Sequence, residues 1–496
     1  MSQARLVVDP AFVVGETDPR LYGSFVEHLG RCVHTGIHEP GHPTADEHGF
    51  RGDVTELVTE LGVPILRYPG GNFVSGYRWE DGVGPREHRP TRLDLAWKSV
   101  ESNAVGTDEF CAWARRAGAE PMLAVNLGTR GVAAAANLVE YCNHPGGTYW
   151  SDLRRSHGVA EPHAVKVWCL GNEMDGPWQL GHKTAEEYAR LAARAAQAMR
   201  LVDPGIELVA CGSSGAGMPT FPEWDATVLE HCYEQVDYLS LHSYSQERDG
   251  DRASFLACAT GMDAYLDTAI ATADYVRAKG RHKKRLGFAF DEWNVWHSPD
   301  PAGERAVFER APRLLEERYT VVDAVVVGSM LISLLRHADR VRIACLAQLV
   351  NAIGAIRTEP AGPAWRQTIF HPFALTSRYG RGEVLRPAIT APSYETAEFG
   401  EVPLLDAVAV RDDEGVVVFA VNRDQHAALP LTIELRAFPH LTRATHTYLG
   451  GGDPLAANTE EEPHRVVPRT AESRPLDGGE PAITLPPLSW NLIRVT

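Results

Sequence analysis

Eight short apolar runs recur between residues 20 and 350, and segments with the pattern of amphipathic helices separate them. Most runs are continuously apolar, which is typical of strands covered on both faces. The runs lie at residues 21–26, 63–69, 121–127, 164–170, 206–212, 236–242, 286–291 and 341–347. Helical patterns such as 53–62, 107–118 and 184–204 open at Asp or Thr and close at Gly or Pro. This alternation predicts an α/β fold, a (β/α)8 TIM barrel, with a doubly wound open sheet as the alternative.

From about residue 385 the pattern changes to short strand-like segments with polar turns and no helical period. Residues 404–423 are typical of a strand, a D-D-E-G turn and a second strand, and similar segments follow to the end of the chain. The pattern predicts a C-terminal all-β sandwich of jelly-roll type. We therefore predict three parts: an N-terminal strand segment over 1–17 that joins the sandwich, a barrel over 18–384, and the sandwich over 385–496.

The charge and the first residues of the chain bear on partners and location. A net charge of −17 repels phosphate backbones and anionic membranes, so we expect neither nucleic-acid nor membrane partners. The opening MSQARLVVDPAF lacks a basic region followed by an apolar core, which predicts a cytoplasmic protein. In that compartment the eight cysteines, none in a C-x-x-C pair, are expected to be free thiols.

Two glutamates directly follow apolar runs. Glu173 follows the fourth run and Glu292 the seventh. An ionised carboxylate is costly to bury, so a Glu that closes an apolar strand needs a reason. Active sites of barrels form at the carboxyl ends of the strands, and strands four and seven lie roughly across the mouth from each other. The two side chains are therefore expected to face one another.

Facing carboxylates suit the cleavage of a glycosidic bond. One carboxyl group protonates the leaving oxygen, and the other attacks the anomeric carbon or activates water. The spacing leaves both the retaining and the inverting outcome open. An ion pair between Glu173 and a basic residue at the rim is the structural alternative. Asp291 alternates to the other side of the strand and is expected to be structural.

Other residues at the predicted mouth suit sugar binding. Asn172 precedes Glu173 and is placed to hydrogen-bond a hydroxyl next to the reacting carbon, and Glu27 closes the first apolar run. The indole faces of Trp97 and Trp296 are expected to contact sugar, whereas Trp293 is expected to fill the core.

One Gly- and Pro-rich segment is crowded with histidines, namely His28, His34, His38, His42 and His48. Their spacing matches neither H-E-x-x-H nor a paired Cys/His motif. We therefore expect a solvated loop here and no metal site.

The chain resembles the α-L-arabinofuranosidases of glycoside hydrolase family 51 in five motifs. These are GSFVEHLGR (23–31), RYPGGNFVSGYRWEDGVGP (67–85), CLGNEMDGPWQLGHK (169–183), LHSYS (241–245) and FDEWNVW (290–296). The resemblance covers essentially the whole chain. It implies a retaining exo-glycosidase that removes terminal non-reducing α-L-arabinofuranosyl groups from arabino-oligosaccharides by double displacement. It also implies that the enzyme needs no metal or organic cofactor and assembles as a homo-oligomer, commonly a hexamer.

The resemblance further implies roles for nine residues. Glu173 in the G-N-E motif matches the acid/base of the family, and Glu292 in the D-E-W motif matches its nucleophile. The residues that match contacts to the non-reducing arabinofuranose are Glu27, Asn72, Asn172, Tyr244 and Gln348. Trp97 and Trp296 match contacts on the aglycone side.

Three other functions remain open at this point. The chain could be a related retaining hydrolase, such as an endoglucanase or a xylosidase. It could be a carbohydrate-binding protein that uses the hydrolase scaffold without catalysis, or, more distantly, a metal-dependent barrel isomerase.

Overall fold

The computed structural model describes residues 3–298, 307–435, 437–438, 440–471, 474–476 and 481–496. Its centre is a closed barrel in which every neighbouring pair of strands is parallel. The barrel strands, numbered one to eight, are Gly23–Phe25, Ile65–Tyr68, Glu120–Ala124, Val167–Leu170, Glu207–Cys211, Tyr238–Ser245, Gly287–Val295 and Val341–Leu346. The predicted (β/α)8 barrel is confirmed, and the open doubly wound sheet is wrong.

The barrel closes where strand eight pairs with strand one, Cys345 opposite Gly23. A Cβ atom on Gly23 would lie 2.7 Å from the carbonyl oxygen of Ala344 and 2.7 Å from Cγ2 of Ile65. Both distances are shorter than a normal non-bonded contact, so any side chain here would separate the two strands. Glycine at this position therefore allows the seam to close.

Helices surround the barrel and extend to the second sheet system. The α-helices are Gly52–Leu61, Thr107–Arg116, Val132–Asn143, Tyr149–Ser156, Ala185–Val202, Glu223–Cys232, Arg252–Leu256, Cys258–Gly280, Val321–Arg336 and Phe370–Tyr379. The 3-10 helices are Pro19–Tyr22, Asn72–Gly76, Trp79–Gly82 and Arg86–His88. Helix Ala185–Val202 begins with a capping box, in which the backbone N–H of Glu187 donates to Thr184 and that of Thr184 donates to Glu187.

Most of the remaining strands form a second, all-β unit. One sheet contains Ala388–Thr390, Ala4–Val8, Leu429–Leu435 and Ala482–Leu485. The other contains Val13–Glu16, Glu383–Leu385, Leu405–Arg411, Val416–Asn422, Ser489–Val495, Arg443–Gly450, Arg469–Thr470 and Arg474–Pro475. Separate hairpins pair Arg92–Asp94 with Ser99–Glu101, Ile356–Thr358 with Ala364–Arg366, and Ser393–Thr396 with Gly400–Pro403.

The first strand of the chain belongs to this all-β unit. Leu6 pairs in parallel with Ile433 and antiparallel with Ile389, and its side chain is buried in the core of the unit. This pairing supports the proposed assignment of residues 1–17 to the sandwich. Strand Glu383–Leu385 pairs with Leu405–Arg411 of the same unit, so we propose a boundary just before residue 383.

Helix Val321–Arg336 connects the two units. It packs on the strands Leu405–Arg411, Val416–Asn422 and Ser489–Val495 of the sandwich and also contacts barrel strand seven. Because both sides are covered, all its residues from 321 to 335 are buried. The helix thus fixes strand seven, which carries Glu292, against a second hydrophobic core.

The expectation of a solvated loop at the histidine-rich segment is wrong. His28, His38 and His42 are buried, at 4%, 4% and 8% exposure. Leu29, Val33 and Ile37, spaced four residues apart, belong to the main core and hold the segment against the barrel. Gly30 and Gly36, together with the polar residues between them, conceal this apolar stripe in the sequence.

Two expectations from composition concern cysteines and membranes. All eight cysteines are free thiols, and seven of them are buried. Among the described ranges, no helix has the length and apolar character that crossing a bilayer requires.

Candidate active site

The strand ends bring Glu173 and Glu292 together as the sequence predicts. Glu173 lies just beyond barrel strand four, and Glu292 lies within strand seven. The pairing of strands six and seven shifts register between Ser240 and His242, which places Glu292 opposite His242. Glu173, His242 and Glu292 each offer one polar atom, and these atoms all lie within 4.8 Å of one another.

The backbone at Glu173 is in the left-handed region, with φ of 43°. This conformation costs a non-glycine residue about 1–2 kcal/mol. Strain of this kind persists where surrounding contacts over-determine the conformation, and it is concentrated at functional sites. A turn closed by the N–H of Gly176 donating to the carbonyl of Glu173 (2.9 Å) holds it here.

Gly71 allows several polar side chains to converge at the mouth. A Cβ atom at this position would lie 3.0 Å from Oε1 of Glu292, 3.3 Å from Oε2 of Glu27 and 3.4 Å from Nδ2 of Asn172. These three side chains therefore surround one point on the loop after strand two. A larger residue at position 71 would displace them.

Arg67 holds Glu292 in place. Its Nη1 donates to Oε1 of Glu292 at 2.6 Å, and its Nη2 donates to Oδ1 of Asn172 at 2.7 Å. The guanidinium group is only 1% exposed, and its Nε lies 3.0 Å from Oδ2 of Asp291. The hydroxyl of Tyr244 donates to the other oxygen of Glu292 at 2.8 Å. A cation and a hydroxyl donor both favour the ionised form of a carboxylate, as a nucleophile requires.

Asp291 takes part in the same buried network. It accepts a hydrogen bond from Ser240 and forms ion pairs with Arg67 and His242. Burial alone would raise the pKa of Asp291, but Arg67 and His242 hold it at about 2. Asp291 thus remains a fixed negative charge beneath the site.

Glu173 accepts a hydrogen bond at each of its oxygens. Nδ1 of His242 lies 2.8 Å from Oε1, and Nε1 of Trp178 donates to Oε2 at 2.6 Å. Burial alone would lower the pKa of His242, but Glu292, Asp291 and Glu173 raise it to about 10. His242 is therefore an imidazolium at neutral pH and donates its Nδ1 proton to Glu173. The structural alternative for Glu173 was an ion pair with a basic residue at the rim. The structure shows His242 as its charged partner instead.

Glu27 forms a second polar centre beside Glu292. Its carboxylate accepts hydrogen bonds from the N–H of Phe73 (2.9 Å), Nε1 of Trp97 (2.8 Å) and Nε2 of Gln348 (2.9 Å). Burial and the charge of Glu292 raise the pKa of Glu27 to about 8. Three donors thus fix the orientation of a carboxyl group that is close to the reacting pair.

One cavity of about 800 Å³ unites most of the residues singled out in the sequence. Its lining includes Glu27, Asn72, Trp97, Glu173, Tyr244, Glu292, Trp296 and Gln348. Asn172 lies beside this cavity. Its Oδ1 accepts a hydrogen bond from Arg67, and its Nδ2 is close to Gly71, which lines the cavity. Trp293 is fully buried, as expected for a core residue.

Three contributors to the site had no assigned role in the sequence. All three lie in the motifs quoted above: Arg67, His242 and Trp178. Arg67 and His242 contact partners from distant segments, whereas Trp178 donates to Glu173, five residues before it. The sequence does contain a signal for Arg67 and His242. Each lies inside an apolar run, and a charged or polar residue that is buried there needs a buried partner.

The catalytic chemistry of this arrangement follows from its charges. Two carboxyl groups about 5–5.5 Å apart suit a retaining glycosidase, and the close approach of Glu173 and Glu292 fits that class. The same two glutamates and His242 have the spacing of metal ligands. Arg67 lies 2.6 Å from Glu292, however, and a second cation beside it would be repelled.

Comparisons with known proteins agree over the whole chain. Two family models match, an alpha-L-arabinofuranosidase 1 domain over residues 57–260 and an alpha-L-arabinofuranosidase C-terminal domain over residues 291–489. The chain is 58% identical over 499 residues to an intracellular exo-alpha-(1->5)-L-arabinofuranosidase of Streptomyces lividans, which covers 100% of this chain and 75% of that protein. It is 51% identical over 512 residues to an exo-alpha-(1->6)-L-arabinofuranosidase of Bifidobacterium longum, covering 100% and 98% respectively.

A solved structure gives the same result. The family 51 alpha-L-arabinofuranosidase AbfB from Bifidobacterium longum matches this fold with a TM-score of 0.94 and 47% sequence identity, and each chain is covered to 100%. The similarity includes both the barrel and the all-β unit.

The raised pKa of His242 leads to a testable prediction. In an NMR titration of the isotope-labelled protein, the imidazole of His242 should stay protonated until the pH approaches 10. Because the folded pKa exceeds 6.5, the ordinary value for histidine, this proton stabilises the fold fully below about pH 6.5, and the stabilisation is lost as the pH rises through 10. The signal is assigned by its loss in His242→Asn. A midpoint at or below 6.5 for that signal would contradict the charge arrangement described.

Proposed function

The chain belongs to the family 51 alpha-L-arabinofuranosidases, which are retaining exo-acting glycosidases, and from that premise we propose that Glu173 is its acid/base and Glu292 its nucleophile. The observation that carries the assignment is the approach of the two carboxyl groups within one cavity. Their different partners support different roles. Glu292 is paired with a guanidinium cation, whereas Glu173 is paired with a proton donor.

In the first step an oxygen of Glu292 attacks the anomeric carbon while the glycosidic carbon–oxygen bond breaks. Glu173 transfers a proton to the departing oxygen. Because Oε1 of Glu173 accepts from His242, we propose that the Glu173–His242 pair shares the proton that is transferred. Tyr244 and Arg67 hold the attacking carboxylate throughout.

In the second step Glu173 removes a proton from water, the water oxygen attacks the anomeric carbon, and the bond to Glu292 breaks. Two displacements at one carbon retain its configuration. His242 stays close to both carboxyl groups, at 2.8 Å from Glu173 and 3.7 Å from Glu292. Its positive charge limits the repulsion between them when both are ionised.

We propose that Glu27, Asn72, Asn172, Tyr244 and Gln348 bind the terminal arabinofuranosyl group, with Trp97 and Trp296 on the aglycone side. The support is that nearly all of them line the cavity that contains the catalytic pair. Hydroxyl-rich sugars need such fixed donors and acceptors, together with aromatic faces for their C–H surfaces.

We further propose that the substrates are short arabino-oligosaccharides in the cytoplasm and that the enzyme is a homo-oligomer, a hexamer by family resemblance. The support for the location is the word intracellular in the name of the Streptomyces lividans relative. Relatives of similar identity are named for (1->5) and (1->6) linkages, so parallel assays with both disaccharides give the linkage preference. Sedimentation of the purified protein tests the assembly.

The alternative functions are less well supported. A non-catalytic carbohydrate-binding protein would not need the paired carboxyl groups with their opposite partners. The structural match to a bifunctional glucanase-xylanase has only 13% sequence identity, so it supports the fold alone.

Azide rescue distinguishes the roles of the two glutamates. Glu292→Ala should abolish turnover of aryl α-L-arabinofuranosides, and added azide should give the glycosyl azide of inverted configuration. Glu173→Ala should slow cleavage of poor leaving groups by about 10²–10⁴-fold. With activated leaving groups it should spare the first step alone, so that turnover stalls at the arabinosyl-enzyme, and azide should release the retained product.

The matched control is Glu56→Ala, because Glu56 is an exposed glutamate on helix Gly52–Leu61. It should retain wild-type turnover. Normal activity in either active-site variant, or the same azide product from both, would remove the assignment.

The hydrogen bond from Trp97 to Glu27 can be tested by Trp97→Phe. The ring is largely kept, but Glu27 loses one of its three donors. We expect KM for an aryl arabinofuranoside to rise about 3–10-fold, as for the loss of one hydrogen bond, with a smaller change in kcat. The control is Trp150→Phe, since Trp150 packs against Trp79 and Tyr149 and does not line the cavity. An unchanged KM in Trp97→Phe, or the same rise in Trp150→Phe, would contradict the role of this bond.

A further inference from the structure

A second cluster of metal-ligating side chains lies outside the catalytic cavity. His28, His34 and Glu101 each offer one ligand atom, and the three atoms lie within 4.8 Å of one another. Nδ1 of His28 is 2.8 Å from Oε2 of Glu101, and Nε2 of His34 is 3.0 Å from Oε1. The proposed hydrolysis uses none of these groups directly.

The three residues come from two separate segments. His28 and His34 belong to the histidine-rich segment after barrel strand one, and Glu101 ends the hairpin Arg92–Asp94 with Ser99–Glu101. Their side chains are 0%, 22% and 6% exposed, respectively. The cluster is thus nearly enclosed, and His34 provides the access from solvent.

The charge on Glu101 is well compensated. Its side chain is only 6% exposed and lies between two imidazole nitrogens, 2.8 Å from Nδ1 of His28 and 3.0 Å from Nε2 of His34. Such an arrangement needs a positive charge, which either protons on the histidines or a metal dication can supply.

Neighbouring groups orient the three side chains, as they do around metal ligands in proteins. The other ring nitrogen of His28 lies 2.8 Å from the hydroxyl of Tyr68, and such a partner orients a ligating histidine. Asn103 is 1% exposed, and its Oδ1 is a buried oxygen without a hydrogen-bond partner among the described residues. Its backbone N–H donates to Glu101 at 2.6 Å. A buried oxygen without a partner is costly, and this one belongs to the residue whose backbone N–H holds Glu101 in place.

We propose that His28, His34 and Glu101 bind a divalent transition-metal ion, for which Zn²⁺ is the probe. Two imidazoles and one carboxylate form a ligand set that zinc accepts, and three protein ligands leave a fourth position for water. Glu101 and Asn103 also line a cavity of about 760 Å³.

The ion would stabilise the substrate site through two residues that donate hydrogen bonds to Glu27. Glu101 ends the hairpin whose tip carries Trp97, and Trp97 donates to Glu27. His28 stacks on Phe73 at 4.6 Å between ring centroids, and the N–H of Phe73 donates to the same carboxylate. A metal that joins His28 to Glu101 would therefore hold both of these donors to Glu27. It is a structural ion and takes no part in the displacement at the anomeric carbon.

The test is zinc binding to the full-length protein after dialysis against a chelator. Calorimetry should show one Zn²⁺ bound per chain in the wild type, and X-ray absorption of that sample should show two imidazole ligands. The catalytic cluster has only one histidine, so a single imidazole would overturn the proposal. Absence of micromolar zinc binding in the wild type would also overturn it.

Zinc binding by variants tests the three proposed ligands independently. His34→Gln and Glu101→Gln should each weaken zinc binding by at least about 10-fold, since even residues that only orient a ligand cost that much. His48→Ala removes an exposed histidine of the same segment and should bind zinc normally. Glu292→Gln, in the catalytic pair, should bind normally as well. Loss of binding in Glu292→Gln would overturn the metal site while leaving the proposed hydrolysis intact.

Discussion

Arg67 brings a positive charge to the barrel mouth, and the arrangement of the proposed catalytic pair depends on it. Its guanidinium group contacts Asp291, Glu292 and Asn172 and is almost completely buried. Removing one partner from such a buried network costs about 3–5 kcal/mol because an uncompensated charge remains. The three contacts join strand two to strand seven and to the residue that precedes Glu173. The position of the proposed nucleophile and the packing of these strand ends are thus parts of one interaction.

His242 completes the charge balance. Three carboxylates, Glu173, Asp291 and Glu292, lie around it, and Arg67 alone cannot neutralise them. The imidazolium supplies the second positive charge and is the donor nearest to the proposed acid. The unequal partners of Glu173 and Glu292 follow from this geometry. One carboxylate faces a fixed cation and the other faces a group that can release a proton.

The sequence predicts the barrel well because continuous apolar runs are a strong signal for strands covered on both faces. Glu173 and Glu292 were found for a related reason, since a carboxylate at the end of such a run is unusual. The roles of Arg67 and His242 could not be predicted in this way. Arg67 lies inside an apolar run, and its partners Asn172 and Glu292 are more than a hundred residues away. The burial of the histidine-rich segment was missed because Gly30 and Gly36 interrupt the stripe of Leu29, Val33 and Ile37.

In the proposed mechanism Glu292 forms a covalent bond to the sugar while Glu173 donates and then accepts the proton. The most direct measurement is peptide mass spectrometry of Glu173→Ala after reaction with an aryl arabinofuranoside that has an activated leaving group. Without the base needed for the second step, the arabinosyl-enzyme should accumulate, with one arabinosyl group on the peptide that contains Glu292. An adduct on the peptide that contains Glu27, or rapid release of arabinose with no adduct, would contradict the account.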